Sequence, residues 1–225
     1  MDGDGNFLTQ RNHPKMALFK MHWEGDILVV THEGAKLELP ADHPGQGPAK
    51  SARIWNDTVS VVEAAPDYHA WFSDRLEMAC RLVRFPEEQP RLIDPAFRPA
   101  DENVSLADGY PILVIGQASL DDLNSRLEQP VPMNRFRPNI VFSGGDPYEE
   151  DTWKHFRIGR NRLLGVKPCG RCVLTTVDQE TGIPGKEPLL TLSRYRRKNE
   201  RICFGQNVIP IDYHEIHEGD EIILE

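Results

Sequence analysis

The sequence has little cysteine, an excess of acidic over basic residues, and no long apolar run. Four cysteines in 225 residues are too few for a disulfide scaffold in a chain of this size. Lysine and arginine number 26 against 35 aspartates and glutamates, so the formal net charge is −9. Nucleic-acid binding draws its affinity from clustered cations, and this balance argues against a nucleic-acid partner. No apolar run reaches the ~18 residues of a membrane helix, so no transmembrane segment is predicted.

Several familiar catalytic motifs are also missing. The chain contains no glycine-rich phosphate loop, no G-x-S-x-G nucleophile elbow and no H-x-H or H-E-x-x-H metal motif. Hydrophobic residues make up 39% of the chain, which is enough for a core. The sequence therefore describes a folded protein whose chemistry lies outside the commonest hydrolase and nucleotide-binding patterns.

Short β-branched runs between turn residues predict a chain that is mostly strand. A hairpin turn is expected at Asn56 and Asp57, a loop over residues 40–49, and a long connection over residues 86–104. Two helices are predicted, one from Pro66 and one over residues 120–127. The second would have Ser119 as its N-cap in an acidic variant of the capping box. We therefore expect an α+β fold, mostly β, built on a barrel or strongly curved sheet.

The sequence Cys-Gly-Arg-Cys at residues 169–172 is the sharpest local feature. The two cysteines could be small buried hydrophobes, or half of a zinc site completed by Cys203 and one further ligand. A redox pair would begin a helix, but residues 173–177 are predicted as strand. The remaining interpretation is that one cysteine acts as a thiolate. Arg171 lies between the two sulfurs, a nearby guanidinium favours the thiolate, and thiolates suit soft, redox-active metals.

Two clusters of positive charge stand out in this acidic chain. Residues 135–139 place two arginines and an asparagine at the mouth of a predicted strand, where the planar guanidinium suits phosphate. Residues 194–198 form a strongly basic run. Either cluster could be a solvated face; the second could also dock an acidic electron-transfer protein. The acidic run at residues 149–151 is expected on the surface.

These segments, in their order and spacing, resemble the MOSC domain, in the branch of the mitochondrial amidoxime-reducing component and its bacterial relatives. The resemblance implies a β-rich N-terminal module over residues 1–100 and a MOSC β-barrel with short helices over residues 101–225. The segments that resemble the MOSC domain are 134–141, 150–153, 158–159, 169–172, 175–178, 181–182, 187–189, 195–196 and 204–207, and those that resemble the N-terminal module are 5–11, 108–111 and 118–124.

The resemblance implies a molybdenum cofactor, in which molybdopterin holds the metal and one protein cysteine completes the sulfur ligands. Matched residue by residue, Cys172 is the metal ligand and the catalytic residue. The family's cofactor-binding arginine and asparagine fall on Arg137 and Asn139. The other implied cofactor contacts are Gly170 and Arg171, together with Gly109, Tyr110 and Asn207 at positions where the family's residue type varies.

The sequence departs from the family pattern at its start. The family begins with a strand carrying a Lys-Ser element, followed by an Asp-Arg, before the segment that aligns with residues 5–11. Those elements bind the cofactor phosphate, and this sequence starts after them. We expect the upstream coding sequence to contain an in-frame Lys-Ser strand.

The implied activity is a molybdenum-dependent reductase acting on N-hydroxylated small molecules. Two alternatives stay open: a non-catalytic cofactor or sulfur carrier with a persulfide on Cys172, and a truncated β domain with a structural zinc. The chain has no C-x4-C-x2-C ferredoxin run. We therefore expect a separate donor, cytochrome b5-like or ferredoxin-like, docking through Arg194, Arg196, Arg197 and Lys198. The compartment would be cytoplasmic in a bacterium and mitochondrion-associated in a eukaryote.

Overall fold

Backbone contacts divide the chain into two units. The computed structural model describes residues 1–43, 45–86, 91–92 and 109–225. Unit 1 comprises Met1–Arg91 and Val177–Pro184, and unit 2 comprises Leu92–Thr176 and Gly185–Glu225. The predicted boundary between residues 100 and 101 lies outside the described residues and stays a prediction, as does most of the expected connection over residues 86–104.

The described part of unit 1 contains two antiparallel sheets of three strands, one α-helix and one 3-10 helix. Its elements are a 3-10 helix at Pro14–Leu18, β1 (Lys20–Glu24), β2 (Ile27–His32), β3 (Ala35–Pro40), β4 (Gln46–Ile54), β5 (Asp57–Glu63), α1 (Pro66–Leu76) and β6 (Val83–Arg84). The sheet orders are β1-β2-β3 and β4-β5-β6. The sequence-based prediction of a helix beginning at Pro66 is confirmed. Proline suits this position because the first helical turn does not need its missing N–H.

Two local predictions in unit 1 are wrong. β4 begins at Gln46, inside the predicted loop, because an irregular register between Gln46 and Lys50 admits glycine and proline into the strand. The second hairpin turns at Trp55 and Asn56, one residue earlier than expected, since Ile54 pairs with Asp57. Trp55 takes the left-handed conformation that this turn requires.

A seven-stranded sheet organises unit 2. Its elements are β7 (Ile112–Gly116), α2 (Gln117–Asn124), β8 (Ile140–Phe142), β9 (His155–Ile158), β10 (Asn161–Gly170), α3 (Leu189–Tyr195), β11 (Arg197–Lys198), β12 (Arg201–Pro210) and β13 (Ile222–Leu224), with 3-10 helices at Met133–Arg135, Glu149–Thr152 and Val173–Thr176. The order is β13-β9-β10-β12-β7-β8, and β11 pairs with β12. Only the β7–β8 pairing is parallel among these described strands.

Buried apolar side chains hold this sheet against its helices. Leu123 of α2 and Leu192 of α3 pack with Phe136 and Phe204 in one fully buried cluster. The Phe136 and Phe204 rings stack with centroids 4.2 Å apart. Because Phe136 is anchored in this way, the polar residues that follow it are held at the edge of the sheet.

The start of α2 differs from the prediction. The helix begins at Gln117, and Gly116 is its N-cap, so Ser119 lies inside the helix rather than capping it. The Ser119 hydroxyl contacts the carboxylate of Glu150 at 2.9 Å. The hydroxyl that the sequence pattern assigned to the backbone is therefore used by a side chain 31 residues away.

Two further predictions in unit 2 are wrong. The segment Val173–Thr176 after the cysteine pair is a 3-10 helix, not a strand. The acidic run at residues 149–151 is not a surface feature, since Glu150 is fully buried and the Asp151 side chain is 6% exposed. Both carboxylates have hydrogen-bond partners, which permits their burial.

β10 is irregular in the residues that lead to the cysteine pair. Register shifts fall between Gly165 and Lys167 and between Pro168 and Gly170. A Cβ atom at Gly165 would collide with the backbone oxygen of Trp153, so only glycine permits this approach. The regular secondary structure of the described residues is mainly strand, with three short α-helices, which confirms the predicted α+β, mostly β fold class.

Candidate functional site

A strained arginine opens the site. Arg137 follows the 3-10 helix Met133–Arg135 and takes a left-handed backbone conformation with φ of 54°, which is costly for a residue with a Cβ. Its side chain is exposed and has no hydrogen bond or ion pair with any described residue. The backbone thus holds a free guanidinium at the surface.

Asn139 fastens this segment to the sheet. Its backbone N–H donates to the Leu113 oxygen, and its Oδ1 accepts from the Leu113 N–H, both at 2.9 Å. The side-chain amide NH2 has no partner among the described residues. Asn139 therefore presents an unused donor close to Arg137, two residues before it.

Arg171 links the cysteine pair to the same segment. Its Nη2 donates to the backbone oxygen of Phe136 at 2.6 Å, and its Nη1 donates to the Cys169 Sγ at 3.1 Å. Its Nε is buried and has no hydrogen-bond partner among the residues that the structure describes. The sequence placed this guanidinium between the two sulfurs, whereas the structure places it on Cys169.

The other sulfur is left free. Cys172 is half-buried, and its backbone oxygen accepts hydrogen bonds from the N–H and hydroxyl of Thr175 at 3.2 and 3.0 Å. Its Sγ has no hydrogen bond with any described residue. The two thiols are therefore unequal, and Cys172 is the one whose sulfur is available as a ligand.

The remaining predicted contacts lie on the neighbouring strands. Asn207 on β12 pairs with Leu113 of β7 on one side and with Lys167 of β10 on the other. The Lys167 ammonium lies 5.0 Å from the Tyr110 ring centroid. Sequence reasoning missed Lys167; its position in the strand that leads into the cysteine pair was the available signal.

The two predicted glycines differ in how far space requires them. A Cβ atom at Gly109 would meet nothing within 4 Å, whereas one at Gly170 would lie 3.3 Å from Cδ of Arg201. The Arg201 side chain is exposed and flexible, so this crowding can be relieved. Neither position demands glycine for steric reasons, and the contact of both with a cofactor stays a prediction from the family resemblance.

A cleft of about 830 Å³ adjoins the site. Its lining includes Asn139, residues of β8 and β13, Trp153, and polar residues of the segments 143–149 and 216–221. Since β8 and β13 are the two edge strands of the sheet, the sheet curls so that both edges border one cleft. Asn139 therefore lies on both the cleft and the segment that carries Arg137.

The structure tests two interpretations of the cysteines, as small buried hydrophobic residues and as zinc ligands. Cys80 and Cys203 are buried free thiols, and burial raises the pKa of the Cys203 thiol. Within the described residues, no group of three or more His, Cys, Asp or Glu is placed to hold a metal ion. The zinc alternative therefore has no ligand set in that part of the chain.

The basic run divides into paired and free cations. Arg196 is buried and its guanidinium lies 2.6 Å from the Asp151 carboxylate, so its expected place in a docking patch is wrong. Lys198 is exposed but also contacts Asp151 at 2.7 Å. Arg194 and Arg197 are exposed and have no ion pair with a described residue, and they remain available to a partner.

Comparison with known proteins identifies the domains. The family model of the MOSC domain matches residues 101–223, and the model of the MOSC N-terminal beta barrel domain matches residues 1–79. A Bordetella bronchiseptica protein solved in solution aligns with 44% of this chain and 78% of its own at TM-score 0.36 and 20% identity, which is too low to support a fold argument.

Curated relatives carry the name mitochondrial amidoxime-reducing component. Component 1 of Mus musculus is 42% identical over 86% of this chain and 58% of its own length. Component 1 of Homo sapiens is 38% identical over 91% and 63%, and component 2 of Bos taurus 36% over 86% and 59%. The chain thus spans about six-tenths of the length of these relatives. Both family models and these relatives agree: the chain belongs to the MOSC domain family.

Proposed function

We propose that this chain binds the molybdenum cofactor and forms the catalytic MOSC part of an oxidoreductase that reduces N-hydroxylated small molecules. The observation that carries the proposal is the inequality of the cysteine pair. Cys169 is held by Arg171, whereas the sulfur of Cys172 is free beside a segment with unused donors. The names of the amidoxime-reducing relatives support the reaction class.

The chemistry of the donor set fits this cofactor. A free thiol suits a soft, redox-active metal, and the unpartnered guanidinium of Arg137 suits phosphate. The Asn139 amide could donate to the pterin. The buried Nε of Arg171 has no hydrogen-bond partner in the described part of the chain, so a cofactor acceptor would satisfy it. Cys172 would be the metal ligand, and the remaining contacts would come from Gly109, Tyr110, Gly170 and Asn207.

When bound, the cofactor supplies the two electrons that convert R–NH–OH and two protons into R–NH2 and water. The residues of this chain would bind and orient it, as proteins do for redox cofactors. The substrate would enter the cleft beside Asn139. The volume of this cleft, about 830 Å³, suits a small organic molecule. Trp153 and the apolar residues of β8 and β13 would pack against its carbon skeleton.

Electrons would come from a separate protein, cytochrome b5-like or ferredoxin-like. The exposed cations Arg194 and Arg197, with Lys198 beside them, would attract an acidic donor surface. No helix in the described parts of the chain is long and apolar enough to span a bilayer. For a eukaryotic source, we extend the mitochondrial association in the relatives' names to this chain; for a bacterial source, we propose the cytoplasm.

The test compares single cysteine variants. The protein is expressed in a host that makes the cofactor, and molybdenum per chain and benzamidoxime reduction with a chemical donor are measured. We expect both to be lost in Cys172→Ser and kept in the control Cys80→Ser, which removes a buried thiol of unit 1. Wild-type protein without molybdenum, or an active Cys172→Ser variant, would contradict the proposal. Bound cofactor without turnover in the wild type would favour the carrier alternative.

A further inference from the structure

The strand β1 is an open edge of unit 1. In the sheet order β1-β2-β3 it pairs, among the strands that the structure describes, only with β2, and all five of its residues are exposed. Two of them are large and apolar: Met21 is 63% exposed and Trp23 is 60% exposed. An edge of this kind has unsatisfied backbone donors and acceptors beside an apolar surface, which favours pairing with another strand.

The strand register places these two residues on the apolar face of the sheet. Paired residues share a face, and Met21 pairs with Val30, which in turn pairs with Leu37. In the same way Trp23, Leu28 and Leu39 form a neighbouring row. Val30 and Leu39 are buried, so the apolar face begins in the interior and continues onto an edge where no described strand pairs with β1.

The sequence of β1, Lys-Met-His-Trp-Glu, is complementary to its own reverse. If two copies pair antiparallel about a twofold axis at His22, Lys20 lies opposite Glu24 of the partner subunit, and Met21 lies opposite Trp23 of the partner subunit. Opposite charges and apolar side chains then meet at directly opposed positions, which is the unit of sheet stabilisation. A twofold axis makes each favourable pair occur twice.

We infer that β1 pairs with β1 of a second copy of this chain and joins the two three-stranded sheets into one sheet of six strands. Met21 and Trp23 of both copies then form one apolar cluster on a shared face. A shift of one residue in this register would move Met21 and Trp23 out of opposition, so the pairing is specified.

The existing contacts of the charged residues permit this exchange. Lys20 contacts the Gln179 oxygen and the Glu180 carboxylate at 2.6 and 3.0 Å, and Glu24 contacts His22 and Lys36. The ion pairs of both residues are exposed to solvent, and exposed pairs contribute little to stability. The charges therefore set register and orientation, while Met21 and Trp23 supply most of the association energy.

Sedimentation of the protein over a concentration series tests the inference. We expect a monomer–dimer equilibrium that Trp23→Lys weakens by about 30-fold or more, the effect of removing a central aromatic anchor. The matched control is Tyr213→Lys, because Tyr213 is an exposed aromatic residue of unit 2, 78% exposed. This control should leave the dimer unchanged.

A charge exchange tests the register itself. Lys20→Glu alone and Glu24→Lys alone should each weaken the dimer, because like charges then face each other, and the double variant should restore it. A protein that stays monomeric at every concentration overturns the inference, as does a dimer that Trp23→Lys leaves intact. A monomer whose tryptophan emission shifts on phosphatidylcholine vesicles, with the shift lost in Trp23→Lys, would instead assign this edge to a lipid surface.

Discussion

The two ends of β7 contact polar groups that differ in whether their hydrogen bonds are complete. At Gly116, the strand end donates its N–H to the buried Glu150 carboxylate at 3.2 Å, and Ser119 contacts both carboxylate oxygens. The Ser119 oxygen also accepts the Tyr148 N–H at 2.7 Å. Each of these groups is satisfied within the chain.

The other end of β7 is open. Leu113 exchanges two hydrogen bonds with Asn139, but the Asn139 amide NH2 and the Arg137 guanidinium have no partner among the described residues. The contrast separates two uses of polar side chains. Buried groups with complete hydrogen bonds stabilise the fold, whereas exposed groups held in place without partners are the ones a ligand can use.

The largest effect on stability is expected where the buried ion pair of Arg196 and Asp151 is broken. Arg196→Ala removes the buried partner of Asp151 and should lower the free energy of unfolding by about 3 kcal/mol, since a buried charge then loses its partner. The loss should be at the lower end of the range because Lys198 still contacts Asp151. Chemical denaturation measures it.

The adjacent residue provides the matched control. Arg197→Ala removes an exposed cation and should change the free energy of unfolding by no more than about 0.5 kcal/mol. Equal losses in the two variants would contradict the distinction between Arg196, which pairs with Asp151, and Arg197, which has no ion pair with a described residue.

The open end of β7 should respond in the opposite way. Arg137→Gly removes the free guanidinium together with the strained backbone conformation, so stability should stay unchanged or rise by up to about 1 kcal/mol. Cofactor retention should fall about 10- to 100-fold, the loss of a charge-assisted contact. Molybdenum per chain after dialysis and thermal unfolding give the two readouts.

A second substitution at the same position separates charge from strain. Arg137→Ala keeps the strain and removes the charge, so it should lose cofactor equally without any gain in stability. If Arg137→Gly destabilised the fold, the Arg137 side chain would contribute to the stability of the fold rather than wait for a ligand.

The fold was predictable where local pattern decides it. The short β-branched strands and the Pro66 helix depend on neighbours in sequence, and the predictions of a mostly β fold and of this helix are confirmed. Ser119 shows the limit, because the motif Ser-x-x-Asp looks the same whether it caps a helix or lies inside one. The deciding partner, Glu150, lies 31 residues away and looked like part of a surface acidic run.

The site was predictable in its residue types but not in its contacts. Arg171 between two cysteines indicated an interaction with sulfur, but spacing did not show that the guanidinium donates to Cys169 and to the Phe136 oxygen. The assignment of Cys172 as metal ligand came from the family resemblance and stays a prediction. The structure supports it with a free Sγ, an observation that residue spacing alone does not contain.

A smaller effect is expected at the exposed cations. Arg197→Glu should raise the KM for cytochrome b5 as donor by several-fold and reduce the salt dependence of the rate, because rim charges act mainly on encounter. Reduction by a small chemical donor should be unaffected and serves as the control. An equal loss with both donors would place Arg197 in the fold or the cofactor site.

The subtlest test returns to the closed end of β7. Burial raises the pKa of Glu150 above its usual range, against the opposing hydrogen bonds from Gly116 and Ser119. A carboxyl with a raised pKa in the folded state favours folding at low pH, and its contribution declines as the pH rises from the usual glutamate range towards the folded-state pKa. Glu150→Gln removes this titration while keeping an acceptor for Gly116 and Ser119.

In acid, where Glu150 is neutral, Glu150→Gln should differ from the wild type by less than about 1 kcal/mol. As the pH rises, the variant should gain stability relative to the wild type, which denaturation at several pH values would detect. A constant difference across the series would mean that Glu150 titrates normally. The closed end of β7 would then contain an ordinary carboxylate stabilised by its hydrogen bonds, and the distinction from the open end would rest on partners alone rather than on partners and charge.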